Sequence, residues 1–414
     1  MTTRPTFRFR MSCATLGVAV LLLAVAVASA QTATTNTDQM LRDAAQAFAD
    51  GDFNRAESQL HDILKVSPRN YRALDFLGML RAQQQRNTDA EQLFQEAIRV
   101  KPDFAGSHVH LGLLYMQMNE PVKAIAPLQE GLRIDPNRSD AAKALLQALR
   151  QEAQTALAAG QTEKSLSMLI SARKLAPDDP DVAYEYGMVT LRMSLLPDAI
   201  AAFKDTLKSR RDDPLAIYGL GRAYMDSSDF EHAQQQFARY TELRPEDASG
   251  HYALGMSLAA LQRGQDATRE FQKSISLQPA QTESYFRLGV LQLEARDLDS
   301  AEANFHHVLD RNPKHAGALA ALGRVELERK QYQQAADLLQ KAVASNDSLR
   351  EAHYYLGLAY ARMGRKEESD QQLQIAARIE HEETEKQRTV FKILNNGSLD
   401  STAPPDAANT NPSK

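Results

Sequence analysis

The chain has 414 residues, 43% of them apolar and 7% aromatic, with no tryptophan and a formal net charge of -5. A single cysteine excludes an intramolecular disulfide framework, a four-cysteine zinc site and a Cys-x-x-Cys redox pair. The acidic balance excludes a chain that coats nucleic acid, which needs clustered Lys and Arg to displace counterions.

Residues 1–30 carry Arg4, Arg8 and Arg10 without an acid, then an uncharged apolar run from Ala14 to Ala28 and the small residues Ala28-Ser29-Ala30. This is the layout of an export signal cleaved before Gln31. Cleavage removes three of 48 basic residues and none of 53 acidic ones, leaving 45 and a mature net charge of -8. The alternative is an uncleaved anchor: Met11 to Ala30 is 20 residues without a charge, and about 20 span a bilayer. Both readings place the rest of the chain outside, periplasmic or secreted in the first case and membrane-anchored facing the periplasm or exterior in the second. Membrane contact is then expected only through that segment, if it is retained. Cys13 lies within it, so the mature chain would hold no thiol, in keeping with an oxidising compartment. Residues 31–36 read as a short linker.

One unit then repeats. Pro68, Pro102, Pro136, Pro177, Pro245, Pro279 and Pro313 are 34, 34, 41, 68, 34 and 34 residues apart, a period of 34 with one insertion of seven. Gly78, Gly112, Gly187, Gly221, Gly255, Gly289, Gly323 and Gly357 keep the same register, as do Ala90, Ala124, Ala199, Ala233, Ala267, Ala301 and Ala335 twelve residues after most of them.

This pattern resembles the tetratricopeptide repeat, a 34-residue helix-turn-helix unit. The residues that carry the resemblance are Leu77-Gly78, Ala90, Phe94, Ala97 and Pro102; Leu220-Gly221, Tyr224, Ala233, Phe237 and Pro245; and Leu288-Gly289, Ala301, Phe305 and Pro313. The resemblance implies an all-α, right-handed superhelical solenoid of antiparallel helix pairs. About ten repeats fill residues 37–380, starting near 37, 71, 105, 146, 180, 214, 248, 282, 316 and 350.

Each repeated residue has a physical task. Glycine in the first helix and alanine in the second remove bulk where the two helices cross; a large side chain at either place would overpack the contact at a cost of about 1–3 kcal/mol. Proline disfavours helix in the residue before it and ends the unit. A 34-residue unit cannot bury its own core, so its stability must come from its neighbours.

The fourth repeat departs from the pattern, with Ala153 for glycine, Ser165 for alanine and the insertion Ser139–Leu145 before it. The unbroken run Ala141–Ala156 predicts a first helix about two turns longer than the others. Arg211 and Asp347 stand in proline positions, so those corners should rest on Asp212-Asp213-Pro214 and Asn346-Asp347-Ser348. Residues 381–394, from His381 to Leu394, read as an amphipathic capping helix with Val390, Phe391, Ile393 and Leu394 on its apolar side. The stretch 395–414 lacks apolar residues able to fold it and is expected to be disordered.

No motif for catalysis is present: the sequence holds no His-Glu-x-x-His, no phosphate-binding glycine loop and no Gly-x-Ser-x-Gly. His306-His307 and His108-x-His110 lack a third ligand nearby, and His108, His251 and His353, all at the fourth repeat position, are expected to replace an aromatic packing residue. Lys204, Lys208, Arg210 and Arg211 precede Asp212-Asp213 and read as a solvated helix end. No enzyme activity, no cofactor and no metal are expected.

The resemblance also implies a binding face. In that family the fifth, ninth and twelfth positions of each first helix line the concave side: here Tyr184, Met188 and Leu191; Tyr218, Arg222 and Met225; Tyr252, Met256 and Ala259; Phe286, Val290 and Leu293. The four aromatics, 34 apart, would align as a stripe, either packing between adjacent first helices or presenting an apolar cleft to a partner segment. Arg222 and Arg324 stand isolated, so the family's clamp for a C-terminal carboxylate is not expected. The reading is an exported, non-catalytic scaffold that binds protein or peptide segments and no nucleic acid. The alternative is a targeting or assembly subunit of a secretion, pilus, exopolysaccharide or glycosyltransferase complex.

Overall fold

The computed structural model describes residues 36–396, with side chains placed through Lys386 and at Arg388. Residues 1–30, read as an export signal, the linker through residue 35 and the tail beyond residue 396 lie outside the described residues. Twenty helices and no strand make up the described chain, which divides after Arg210 into two compact units of five repeats each.

In the first unit, α1 (residues 36–49) pairs with α2 (Phe53–Val66), α3 (Tyr71–Gln83) with α4 (Asn87–Val100), and α5 (Ala105–Gln117) with α6 (Pro121–Ile134). Then follow α7 (Ser139–Ala158) with α8 (Thr162–Leu175) and α9 (Pro180–Arg192) with α10 (Leu196–Ser209). The second unit contains α11 (Pro214–Asp226) and α12 (Phe230–Leu243), α13 (Ala248–Ala260) and α14 (Gly264–Leu277), and α15 (Thr282–Glu294) and α16 (Leu298–Arg311). It ends with α17 (Ala316–Glu328) and α18 (Tyr332–Ser345), then α19 (Arg350–Arg362) and α20 (Lys366–Asn396).

The two helix types bury different amounts of themselves because they pack on different numbers of neighbours. Second helices bury a single stripe at i, i+4 and i+7, such as Ala90, Phe94 and Ala97 in α4. First helices bury more of their circumference: α5 hides nine residues, including Val109, Leu111, Leu114 and Tyr115. The stripe's large residue is the anchor of each repeat, and Phe94, Phe203, Phe237, Phe271 and Phe305 are all fully buried. Close approach requires the opposing glycine: a Cβ on Gly221 would stand 2.7 Å from Phe237 Cε1.

The turn inside each repeat is closed by a six-residue hydrogen bond of the Schellman type, as in Arg86 N to Arg81 O at 2.9 Å and Asp229 N to Tyr224 O at 2.9 Å. The residue before the donor is left-handed. Glycine supplies it at Gly51, Gly160 and Gly364, but Gln85, Asn119, Ser194, Ser228, Gln262, Arg296 and Lys330 hold φ between 57 and 62° in the same place. These residues adopt a conformation that glycine takes without strain, because the helix pair on either side over-determines the turn.

The long first helix of the fourth repeat is present: α7 has 20 residues against 13 in α5 and α9. The two proline-less corners use the expected turn chemistry. Asp213 accepts from Leu215 N at 3.0 Å and caps α11, while Asn346 accepts from Ser348 N at 3.0 Å. Arg239 secures the first of these corners through Asp212 at 2.8 Å.

The C-terminal end differs from expectation. No separate capping helix begins at His381; α20 runs for 31 residues without a break. The reason is in the sequence from Ala376 to Glu385, which contains none of the proline, glycine, asparagine, aspartate or serine with which earlier repeats turn. The second helix of the tenth repeat therefore continues into the segment that was to be the cap, whose apolar side chains lie beyond those described.

Candidate functional site

The first-helix face is built differently in the two units. In the second unit, Tyr218, Tyr252 and Phe286 are half-buried, and each ring rests on the anchoring phenylalanine of its own repeat. Centroid distances are 5.5 Å from Tyr218 to Phe237, 5.9 Å from Tyr252 to Phe271 and 6.0 Å from Phe286 to Phe305. The aromatics of the fifth position thus pack chiefly against the second helix, with one edge left toward the open side. Tyr218 also meets Tyr240 at 5.1 Å. Burial pushes the Tyr218 hydroxyl above the usual phenol range. Tyr240 is pushed up to about 12 by burial and by its 2.5 Å hydrogen bond to Asp247 Oδ2. Burial works against ionised Asp247, but donation from Tyr240 and from the backbone of Ser249 outweighs it and holds the carboxylate below its ordinary range. The phenol is thereby tied to the cap of α13.

Arg222 is exposed, while Met225, Met256 and Val290 are partly exposed beside these rings. Leu293 departs from expectation, being 4% exposed and part of the core. In the first unit Tyr184 lies 6.0 Å from Phe203 and Met188 is 40% exposed, but Leu191 is buried. Both leucines turn inward for one reason. The twelfth position lies one helical turn after the crossing glycine, as Leu191 does after Gly187, and so shares its inward face. Leucine there is drawn beneath the face, whereas Met225 and Ala259 keep partial exposure.

Among the described residues, depressions open along the first helices in both units. One of about 500 Å³ lies between α1 and α3, with Leu41, Arg42, Arg72, Phe76 and Met79 in its wall. A second, about 200 Å³ and almost wholly apolar, lies between α7, α8 and α9 and includes Tyr184 and Met188. A third, about 500 Å³ in the second unit, is bordered by Arg324, Lys330, Tyr332, Tyr355 and Arg362. Arg324 is therefore not isolated, because the left-handed turn at Lys330 and the end of α19 bring two more cations to the same pocket, and its guanidinium lies 5.6 Å from the Tyr355 ring. Sequence reasoning missed the first and third pockets because their residues come from different positions in adjacent repeats. The positive charge at the turn residue Lys330 was the only available signal.

The histidines are structural in a specific way. His108, His251 and His353 each place Nε2 on the carbonyl six residues earlier, at 2.8 Å from Pro102 O, 3.0 Å from Pro245 O and 2.9 Å from Asp347 O. They tie the corner to the next first helix, a hydrogen-bonding role that an aromatic packing residue could not fill. Nδ1 of His251 meets Glu270 at 2.6 Å and that of His353 meets Gln372 at 2.7 Å. Pro127 occupies the matching place for His108. His307 stacks on Tyr285 at 3.6 Å, and His306 faces Glu302 at 3.6 Å. Among the described residues no group of three or more His, Cys, Asp or Glu could hold a metal ion, and no helix is long and apolar enough to cross a membrane. The short basic run is engaged as well, with Lys208 on Asp205 at 2.8 Å and Arg210 on Asp181 at 2.6 Å.

Against known proteins, one tetratricopeptide repeat model matches residues 44–103, 150–214, 218–282, 286–349 and 331–379, and a second matches residues 81–149. Protein O-mannosyl-transferase TMTC3 of Homo sapiens is 33% identical over 67 residues, 16% of this chain and 7% of its own length. The chain thus spans a small fraction of the curated relatives it matches. Among solved structures, YrrB, described as a TPR protein with an unusual peptide-binding site, is similar with a TM-score of 0.39 and 22% identity over 44% of this chain and 95% of that one. The APC/C hetero-tetramer Cut9-Hcn1 gives a TM-score of 0.45 and 13% identity over 83% and 94%. The 34-residue register, the stacked helix pairs and models that match most of the chain agree: this chain belongs to the tetratricopeptide repeat family.

Proposed function

We propose that the chain is an exported, non-catalytic scaffold that binds a segment of a partner protein along the first-helix face. The observation that carries this reading is the row formed in the second unit by Tyr218, Tyr252 and Phe286 with Met225 and Met256, half-buried rings braced from below and flanked by adaptable thioethers. Such a surface offers apolar contact at low ordering cost, which suits an extended or helical segment. Replacing Met225 and Met256 together by Glu should abolish partner capture from envelope extracts while leaving the helical circular dichroism spectrum intact. Undiminished capture would remove this face from consideration.

The export part of the proposal rests on residues 1–30 and is tested by N-terminal sequencing of secreted or periplasmic material. A start at Gln31 supports it, and a cytosolic chain beginning at Met1 refutes it. A role as the targeting or assembly arm of an envelope complex, including one with a glycosyltransferase, would use the same face. It is distinguished by whether the captured partner is itself an enzyme.

A further inference from the structure

We propose that the cavity between α7, α8 and α9 seats one aromatic side chain of the bound segment and selects tyrosine. This rests on the reading of first helices as the binding face, applied within the first unit, and it names the anchor that a segment bound there must carry. The cavity measures about 200 Å³. Apolar cavities of roughly 150 Å³ already hold a benzene ring, so a phenol fits. Its walls are mainly Ala153, Leu157, Leu169, Met188 and Val189.

The cavity lies where the fourth repeat departs from most others; the first repeat shares its alanine and leucine, as Ala44 and Leu60, but keeps Ala56 where the fourth has Ser165. Where glycine faces phenylalanine, as at Gly221 and Phe237, the ring fills the space beside the helix crossing. Where the anchor is leucine in the third, ninth and tenth repeats, glycine is retained and the leucine packs directly against it, as Leu339 does on Gly323. The fourth repeat combines the smaller anchor, Leu169, with Ala153 and Ser165 in place of glycine and alanine. A ring-sized volume is left unfilled.

Two features select the occupant. Ser165 is wholly buried and lines the cavity, and its Oγ has no hydrogen-bond partner among the described residues. A buried hydroxyl without a partner is costly, and a space this apolar offers a water too few contacts to supply one. A ligand with an apolar body and a hydroxyl at its tip would satisfy that atom. At the rim, Glu185 is held by Arg150 in a bidentate pair at 2.8 and 3.0 Å and by Gln154 at 2.9 Å. The rim charge is compensated, so nothing there draws in a charged side chain, and burying one in the cavity would be unfavourable. Phenylalanine meets the shape but leaves Ser165 unpaired; tyrosine meets both.

The test follows the Met188 methyl signal in the full chain labelled with 13C-methyl methionine, assigned through Met188→Leu. The probes are p-cresol and toluene, the side chains of tyrosine and phenylalanine, and the peptide acetyl-Gly-Ser-Tyr-Ser-Gly-amide. We expect p-cresol to shift the signal saturably and to bind about fivefold tighter than toluene, as one added net hydrogen bond gives. Ser165→Ala should bring the two to equal affinity. The pair Ala153→Gly with Leu169→Phe restores the glycine-phenylalanine rule, closes the cavity and should abolish the shift with p-cresol and with the peptide. The proposal is overturned if p-cresol produces no saturable shift, if toluene binds as well in the unaltered chain, or if the shift persists in the closed variant. It is equally overturned if p-cresol binds while the peptide leaves Met188 unmoved. If the closed variant does not fold, the Ser165→Ala comparison alone decides. Partner capture that is lost in Met225→Glu with Met256→Glu but unchanged in the closed variant would overturn this anchor while leaving the binding face in place.

Discussion

The fourth and sixth repeats follow one 34-residue plan and differ at the three places that govern how tightly a helix pair closes. The sixth has Gly221, Ala233 and Phe237, and its anchor is 1% exposed against the ring of Tyr218. The fourth has Ala153, Ser165 and Leu169, with a cavity and an orphaned hydroxyl between its helices and the next. Both are well-formed helix pairs. In a repeat array each unit answers mainly to its neighbours, so one unit can trade packing for an opening without unravelling the rest.

The largest effect should separate the two anchors. Phe237→Ala removes a fully buried ring and should cost about 3–5 kcal/mol in urea unfolding, whereas Leu169→Ala, beside space already empty, should cost about 2 kcal/mol. Equal losses would mean that the fourth repeat is packed as fully as the sixth. Gly221→Ala drives a Cβ into Phe237 and should cost about 1–3 kcal/mol, while Ala153→Gly should cost only about 1 kcal/mol through helix propensity.

Acid sharpens a second contrast. In the first unit, the hydrogen bond from Arg81 outweighs burial and lowers Glu57 to about 2. A carboxylate whose folded value is depressed contributes stability above its unfolded value of 4.5, and that contribution is lost as pH falls toward about 2. With screening at this partly exposed site it should amount to about 1 kcal/mol. Glu57→Gln should lower stability at neutral pH and flatten its decline between those limits, measured by urea midpoints at a series of pH values. In the second unit Tyr240→Phe removes the bond to Asp247 and should cost about 1 kcal/mol. Ultraviolet titration should show one phenol fewer ionising near 12 in the variant than in the unaltered chain, Tyr115, pushed up to about 12 by burial and Glu91, remaining in both.

The smallest effect tests the turns of the same two repeats. The fourth uses Gly160 at φ 76° and the sixth Ser228 at φ 60°. Gly160→Ser should lose, and Ser228→Gly should gain, about 0.5–1 kcal/mol. A loss in both directions would show that the Ser228 side chain contributes more than its strained backbone costs.

Most of the fold was legible because its signals are local and periodic. Gly78, Ala90 and Pro102 mark a crossing, a facing stripe and a stop, and the same spacing returned after an insertion whose seven residues added two turns to α7. The face was legible only in part. Tyr218, Tyr252 and Phe286 stand where their register put them, but Leu191 and Leu293 went inward, and Arg324 gained Lys330 and Arg362 as neighbours.

What the amino-acid order determined by itself was the unit, its number and its helix ends, since backbone freedom, missing donors and small side chains act within a few residues of where they occur. Only the tertiary structure decided that seven non-glycine residues accept a left-handed backbone and that a cavity opens beside Leu169. Those outcomes depend on volumes and hydrogen bonds summed over several packed helices, and no single stretch of the chain contains that sum.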